Sequence, residues 1–176
     1  MIGTARLTLS YHTKADFDDV HAMWSDPAVV RFINGRPLSE QESWFRLLRY
    51  RGLWDLLGYG YWCVRTKADG RYVGDVGFGN FHRPIKPALG DTPEAGWVLA
   101  SWAHGQGFAT EALSGMLDWM DNVRGIDRTV CLVAPENVPS VRVAEKGGYR
   151  LLREVLFDDE PTLLLERVKP EKRPVS

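Results

Sequence analysis

The sequence has little of what marks several large classes of protein. Basic residues are not in excess, because 22 Lys and Arg are matched by 23 Asp and Glu, and this balance disfavours nucleic acid as a partner. No apolar run approaches the ~20 residues that cross a bilayer. The first ten residues, MIGTARLTLS, lack the basic and apolar regions of a signal peptide. We therefore expect a cytoplasmic protein that binds neither nucleic acid nor a membrane.

Cysteine is also scarce. Cys63 and Cys131 are the only two, and both lie in apolar segments typical of strands. A disulfide or a metal pair is open to them, but two buried, reduced thiols in a cytosolic chain are the favoured interpretation. The acidic run 158–160 is typical of a hairpin turn, so we expect no metal site.

Apolar residues are plentiful enough for a core, at 44% of 176 residues. We predict a single domain over residues 1–170 and a frayed tail at 171–176. The periodicity predicts one strand, two helices, three strands, a helix, a strand, a helix and two strands. This order is typical of an α+β fold, with a mostly antiparallel, twisted sheet of about seven strands flanked by about four helices. The crossover helix after Ala100 makes its two flanking strands parallel.

Local signals support several of these elements. The serine and glutamate of SEQE at 39–42 form a capping-box pattern, and Gly58 ends the helix that follows. The DG pair at 69–70 predicts a hairpin turn. The proline-containing segment 81–93 predicts a loop that folds over a site. In the later helix, one face is expected to be apolar and comprises Phe108, Ala112, Met116, Trp119, Met120 and Val123.

The stretch 102–113, WAHGQGFATEAL, places Gly105 and Gly107 just before an amphipathic run. Glycine lets the backbone approach a ligand without a Cβ in the way, and the free N–H groups of a helix N-terminus bind anions. The stretch therefore predicts an anion site, although the glycines alone are also compatible with a tight turn that binds nothing. A dinucleotide-binding fold is disfavoured because Thr110 follows where a third glycine is needed.

A second segment, residues 135–149, reads PENVPSVRVAEKGGY and places Asn137 and Ser140 at the opening of a helix. Together the two segments resemble the GNAT superfamily of acetyl-CoA-dependent N-acetyltransferases, over essentially the whole domain. The closer resemblance is to the branch that contains the ribosomal-protein-alanine N-acetyltransferases. The family's pyrophosphate loop runs Arg or Gln, two residues, Gly, one residue, then Gly or Ala. His104 departs from this pattern at the Arg or Gln position, which alters one contact to the pyrophosphate.

The resemblance implies a GNAT fold that binds acetyl-CoA as co-substrate, without a metal. The backbone of Trp97, Val98 and Leu99 is expected to pair with the pantetheine arm in the manner of an added strand. The pyrophosphate is expected to bind the stretch His104, Gly105, Gln106, Gly107, Phe108, Ala109 and Thr110.

The same resemblance implies roles for three side chains. Asn137 is expected to hydrogen-bond the pantetheine arm, and Ser140 to lie near the thioester sulfur. Lys146 is expected to reach the nucleotide phosphates, with a solvated cation at a helix end as the equal alternative.

Acetyl transfer to an amine needs a neutral amine, a donor for the oxyanion and a proton or dipole for the leaving thiolate. Glu94, which precedes the cofactor-pairing strand, is the candidate base, with an exposed edge carboxylate as the alternative. Ser140 is the candidate donor to sulfur, and Tyr149 is the second choice. His12 and His82 are interpreted as structural.

The acceptor amine is left open. Aromatic-rich segments at 44–61 and 78–82 are expected to form its pocket. The branch resemblance implies a protein N-terminal amine, while aminoglycosides, polyamines and amino-acid analogues are alternatives.

A sensor that binds acyl-CoA without turnover is favoured only by His104. A pure interaction domain is disfavoured, because such a domain would not use the glycine loop or the Asn137/Ser140 pair. The oligomeric state, including a homodimer, also stays open.

Overall fold

The computed structural model describes residues 1–169, so the predicted tail at 171–176 lies outside the described residues. Within that range the chain forms one sheet of eight strands. The strands are β1 Ile2–Gly3, β2 Leu7–Tyr11, β3 Tyr61–Thr66, β4 Tyr72–Gly79, β5 Glu94–Leu99, β6 Arg128–Val133, β7 Arg150–Phe157 and β8 Glu160–Val168. The helices are α1 Phe17–Trp24, α2 Pro27–Val30, α3 Glu40–Leu57, α4 Phe108–Trp119 and α5 Val138–Lys146.

The predicted fold class is confirmed, and the predicted elements follow one another in the predicted order, with one strand and one helix more than expected. The additional helix, α2, has four residues. The additional strand, β1, has only two residues and pairs with β2 through Ile2↔Leu9 and Gly3↔Thr8. So short a segment carries no periodicity of its own, and only its partner strand defines it.

Local chemistry shapes the helix and hairpin ends as predicted. Glu42 Oε2 accepts a hydrogen bond from Ser39 N at 2.8 Å while Ser39 Oγ accepts one from Glu42 N at 3.3 Å, which completes the capping box of α3. Gly58 ends that helix with a left-handed φ of 71°. Asp158 and Asp159 turn the last hairpin with φ values of 51° and 62°.

The sheet has the order β1-β2-β3-β4-β5-β6-β8-β7. All neighbours are antiparallel except β5 and β6, which are parallel as predicted for strands joined by a crossover helix. β4 and β5 stay in register from Gly74↔Leu99 to Gly79↔Glu94. β5 and β6, in contrast, are in register only at Glu94↔Val130. The sheet therefore opens into a gap between the C-terminal parts of β5 and β6.

Helices cover both faces of the sheet. On one face, α4 and α5 pack against a large cluster that includes Val64, and Trp97 packs against its edge. On the other face, α1 to α3 pack against a second cluster that includes Cys63, with Val98 at its edge. Adjacent strand residues point to opposite faces, so Glu94 and Val98 face α1 and α3, whereas Trp97 faces α4.

One side chain on the predicted apolar face of the glycine-led helix was assigned wrongly. Phe108, Met116 and Met120 are buried, but Val123 is 66% exposed. Residues 120–124 form a π-helical turn at the end of α4. A π turn places its hydrogen bonds between residues five apart, which rotates Val123 away from the buried face.

The cysteine prediction is confirmed: Cys63 and Cys131 are both buried and form no disulfide. Burial raises the pKa of both thiols, which keeps them protonated. Among residues 1–169, no helix combines the length and apolarity needed to cross a membrane.

Candidate active site

The glycine loop joins β5 to α4. Gly105 and Gly107 have φ values of 75° and 78°, in the left-handed region that glycine adopts at little cost. Nothing lies within 4 Å of the position that a Cβ on Gly105 would occupy. Within the described chain, the amides of residues 105–110 donate to no protein acceptor. Free amides at the positive end of α4 are an arrangement that binds anions.

The side chains of the loop anchor it and leave its backbone exposed. Phe108 is buried in the core beneath the start of α4. Gln106 Nε2 donates to the Trp102 carbonyl at 2.7 Å. Ala109 and Thr110 are half-buried in the first helical turn. A ligand at this loop would therefore meet chiefly backbone N–H groups, as the sequence predicted.

Arg6 lies against the loop and was missed by sequence reasoning. Its Nη1 donates to the Gln106 carbonyl at 3.0 Å, its Nε donates to Glu111 at 2.7 Å, and its guanidinium lies 4.5 Å from the centre of the Phe108 ring. Its Nη2 lies 3.5 Å from the position of a Cβ on Gly107. Arg6 and Gln106 are 100 residues apart in sequence, and no local pattern connects them.

The edge of β5 beyond Glu94 faces the gap. The Pro93 carbonyl accepts from Val130 N at 3.0 Å, and carbonyl directions alternate along a strand, so the Trp97 and Leu99 carbonyls point to the same side. The Leu99 carbonyl has a partner, because His104 Nε2 lies 2.9 Å from it. The ring of His104, expected at the pyrophosphate, therefore contacts the end of β5.

The opening of α5 contains Asn137 and Ser140, as predicted. Asn137 is the N-cap, since its Oδ1 accepts from Ser140 N at 3.3 Å. This bond occupies the Asn137 oxygen and leaves its Nδ2 as a donor. Ser140 is half-buried, and its hydroxyl has no hydrogen-bond partner among residues 1–169.

Tyr149 lies elsewhere, in the core. It is 0% exposed, and its hydroxyl is 2.8 Å from Thr129 Oγ1. Burial raises the pKa of the Tyr149 phenol, and the hydrogen bond between its hydroxyl and Thr129 opposes that shift.

Glu94 begins β5 at the closed end of the gap. It is 7% exposed, and Arg83 holds both of its oxygens, through Nε at 2.5 Å and Nη2 at 2.7 Å. Burial acts to lower the pKa of Arg83, but the hydrogen bonds and charge of Glu94 outweigh it and raise that pKa. The 81–93 loop folds over this pair and encloses a cavity of about 220 Å³ that Glu94 and Arg83 help to line. The candidate base is thus buried and paired, and is not an exposed edge carboxylate.

Lys146 is brought to the glycine loop. It ends α5, is exposed, and lines a groove of about 830 Å³ together with Gly107 and Thr110. The structure does not bring Glu94 and Ser140 together in the way that it brings Lys146 to the glycine loop. Glu94 is level with Val130, and the end of β6 is about 10 Å further on at ~3.3 Å per residue.

The fold matches that of known acetyltransferases. A sequence model of the acetyltransferase (GNAT) domain matches residues 6–150. The chain is 27% identical over 148 residues to an uncharacterized N-acetyltransferase, p20, from Bacillus licheniformis, which covers 84% of this chain and 80% of the relative. The protein is an acetyltransferase of GNAT type, and the chain belongs to that family.

Solved structures agree with this assignment. A protein from Bordetella pertussis described as a GNAT-family acetyltransferase has a TM-score of 0.84 at 35% identity, over 95% of this chain and 98% of that one. The spermidine N-acetyltransferase of Vibrio cholerae, solved with coenzyme A and spermine, has a TM-score of 0.73 at 17% identity, over 93% of this chain and 95% of that one. At that identity the second likeness concerns the fold alone.

Proposed function

We propose that this acetyltransferase moves an acetyl group from acetyl-CoA to a primary amine, by direct attack of the amine in a ternary complex. The observation that carries the proposal is the gap between β5 and β6, which are in register only at Glu94↔Val130. An extended thioester arm fits such a gap by pairing with the free edge of β5. The glycine loop stands at the open end, where the arm's pyrophosphate would meet free amides.

The donor would be held mainly by backbone groups. Trp97 to Leu99 would pair with the pantetheine arm, and the Asn137 amide would donate to it. Two cations flank the expected phosphates: Arg6 beside Gly107 and Lys146 across the groove. Arg6, in the bend before β2, places its guanidinium beside the glycine loop, whereas the His104 ring contacts the end of β5. The coenzyme A bound in the Vibrio cholerae structure supports the same donor.

The chemistry requires groups on both sides of the thioester. An amine near its ordinary pKa of ~8 to ~10.4 is mostly protonated at neutral pH, and Glu94 would accept the proton, directly or through a water. Ser140 would donate a hydrogen bond to the sulfur as the thiolate leaves. Positioning of the two substrates alone contributes several kcal/mol to lowering the barrier, so no strong base is needed.

The acceptor at this site is either a small-molecule amine or a protein N-terminal amine. The resemblance of residues 102–113 and 135–149 to the ribosomal-protein-alanine branch supports a protein N-terminus. Spermine, bound by the Vibrio cholerae relative, represents the small-molecule alternative. The two buried, unpaired cysteines suit a reducing cytoplasm.

Calorimetry with Gly107→Val tests the donor site. A branched side chain at Gly107 would occupy the space where the pyrophosphate must lie, so we expect the affinity for acetyl-CoA to fall at least tenfold. Gly125→Val is the matched control, because Gly125 has a similar φ of 67° and nothing lies within 4 Å of its Cβ position. Both variants carry the same backbone strain, but only one changes the loop. Equal acetyl-CoA affinity in the wild type and Gly107→Val would remove the proposed donor site.

A further inference from the structure

A cluster of charged and aromatic side chains covers the α3-facing side of the sheet beside Glu94. We call it the arginine patch, and it comprises Arg46, Arg49, Tyr61, Phe81, Arg83 and Glu94. Gly79 and Gly96 make room for it: a Cβ on Gly79 would overlap the Phe81 ring, and one on Gly96 would overlap the Tyr61 hydroxyl. Gly79 pairs with Glu94 in the sheet, so the Phe81 ring over Gly79 lies beside the candidate base.

The Phe81 ring joins the helix and loop sides of the patch. The guanidinium of Arg83 lies 5.0 Å from the ring centre, and that of Arg49, on α3, lies 5.6 Å from it. The next residue of α3, Tyr50, stacks on Tyr61 with ring centres 4.5 Å apart. The patch is therefore one contiguous surface, with cations on both sides of an aromatic floor.

The charges of the patch do not cancel. Glu94 is committed to Arg83 by two hydrogen bonds. Within residues 1–169, neither Arg46 nor Arg49 has a carboxylate within 4.0 Å. Arg46 lies 3.6 Å above the Trp24 ring, and its Nε is buried without a hydrogen-bond partner. Two guanidinium groups thus remain without an anion beside the candidate base.

The other buried carboxylates on this face, those of Asp16 and Asp75, do not neutralise them. Asp16 is paired with Arg65 at 2.8 Å. Asp75 is fully buried and accepts from the Tyr72 hydroxyl at 2.6 Å and from Trp24 Nε1 at 3.3 Å. Its Oδ1 is also 2.7 Å from His12 Nε2, so three hydrogen-bonding contacts hold the carboxylate within the core. His12, for which the sequence predicted a structural role, is buried in this contact.

The pKa shift of Arg49 agrees with an excess of positive charge. Burial lowers the pKa of Arg49, and the charge of Arg46 lowers it further. Burial and the charge of Glu94 raise the pKa of Tyr61, while Arg49, Arg46 and Arg83 all oppose that rise. All four charges therefore act on the Tyr61 hydroxyl, in agreement with the contacts above.

We infer that the acceptor amine carries a carboxylate, as an amino acid or amino-acid analogue does, and that Arg46 and Arg49 bind that carboxylate. The inference rests on the proposed transferase function and names the acceptor class of the same site. A guanidinium binds a carboxylate through paired, charge-assisted hydrogen bonds. A zwitterion bound in this way directs its amine towards Glu94 and the gap. A polycationic acceptor would instead meet two unpaired arginines, and like charges at close range disfavour binding.

Matched acceptor pairs test this inference in the acetyl-CoA-dependent reaction. Phenylalanine and lysine are compared with phenethylamine and cadaverine, which lack only the carboxylate, and an alanyl peptide amide represents a protein N-terminus. We expect kcat/KM at least tenfold higher for the acids. Arg49→Gln should reduce that preference at least fivefold, mainly through KM, while turnover of phenethylamine is retained. The control is Arg51→Gln on the same helix, since Arg51 lies over Tyr11 outside the patch.

Each outcome bears on a different claim. Equal or better turnover of the decarboxylated amines, or turnover of the peptide amide alone, overturns the carboxylate inference and leaves the transferase function standing. An unchanged preference in both Arg49→Gln and Arg46→Gln overturns the role of the arginines. Calorimetric binding of acetyl-CoA without turnover of any amine overturns the transferase function, and with it the inference.

Discussion

At the scale of single residues, Glu94 presents a carboxylate whose two oxygens are both held by Arg83. Each oxygen retains a lone pair, so the ion pair orients the carboxylate and leaves it able to accept a proton. We expect Glu94→Gln to lower kcat by about 100-fold or more and to flatten the acid limb of the pH–rate profile. Stopped assays of acetyl-CoA consumption between pH 5 and 9 measure both effects.

The control for Glu94→Gln is a variant of its ion-pair partner, Arg83. Glu94→Gln also leaves Arg83 buried without its anion, which is a structural cost. Arg83→Gln breaks the same ion pair but keeps the carboxylate. If Glu94 only holds Arg83 in place, both variants should lose activity alike and retain the acid limb. Loss of the limb in Glu94→Gln alone identifies the base.

Ser140 and Tyr149 differ in what their hydroxyls contact. The Ser140 hydroxyl is without a protein partner at the opening of α5, whereas that of Tyr149 is bonded to Thr129 in the core. A hydrogen bond to sulfur strengthens as charge builds, so Ser140→Ala should lower kcat with little change in acetyl-CoA affinity. Loss of one well-aimed donor costs about 2–4 kcal/mol of transition-state stabilisation.

Tyr149→Phe is the matching variant, since it removes a hydroxyl from the second candidate and keeps the ring packed. We expect it to lower the free energy of unfolding by about 1 kcal/mol, through the lost hydrogen bond to Thr129, and to leave kcat near that of the wild type. Chemical denaturation and steady-state assays of both variants decide between them. Abolished turnover in Tyr149→Phe with normal turnover in Ser140→Ala would reverse the assignment.

At the scale of elements, α3 depends on charge at its first turn. Hydrogen bonds from Arg36, followed by those from Ser39, lower the pKa of Glu42 from 4.5 to about 2. A depressed carboxylate pKa stabilises the fold fully above the unfolded value, and that stabilisation is lost as the pH falls towards 2. We therefore expect Glu42→Gln to lower the urea midpoint at pH 7, by an amount that shrinks below pH 4.5. Glu40→Gln, in the same helical turn but outside the capping box, is the control. A difference between wild type and Glu42→Gln that does not depend on pH would contradict the assignment.

The same elements show what local patterns encode. The capping box at 39–42, the stop at Gly58 and the turn at 69–70 involve neighbours within four residues, and their elements were predicted from sequence. β1 was missed because two residues have no period. Val123 was misplaced because a π turn shifts the helical phase, and its hydrogen bonds rather than its residue types define it.

At the scale of the whole molecule, the sheet has two antiparallel parts, β1–β5 and β6–β8, that are in register at one parallel pair. A thioester arm bound in the gap would join both parts. At a concentration of 100 times Kd, a ligand that binds only the folded state stabilises it by about 2.7 kcal/mol. For a chain of this length, that shifts Tm by roughly 5–11 °C.

Differential scanning calorimetry with acetyl-CoA measures this shift. We expect the wild type and Gly125→Val to show the full shift. Gly107→Val should show about half of it or less at the same concentration, because a tenfold weaker site is stabilised by only about 1.4 kcal/mol. A Tm that does not respond to acetyl-CoA at any concentration would contradict binding in the gap. The comparison uses the intact chain and needs no knowledge of the acceptor.

The sequence by itself determined the order of the longer elements, the caps and turns, the buried cysteines and the glycine loop, because each depends on residue types at short spacing. It also carried the resemblance that located Asn137 and Ser140. Only the tertiary structure brought Arg6 to Gln106, Arg83 to Glu94 and Arg49 to Phe81. These contacts join elements that are remote in the chain, and the register of β4 and β5 together with the packing of α3 decides them. Local propensity carries no information about such distances. The residues proposed to bind the acceptor could therefore be identified only from the folded structure.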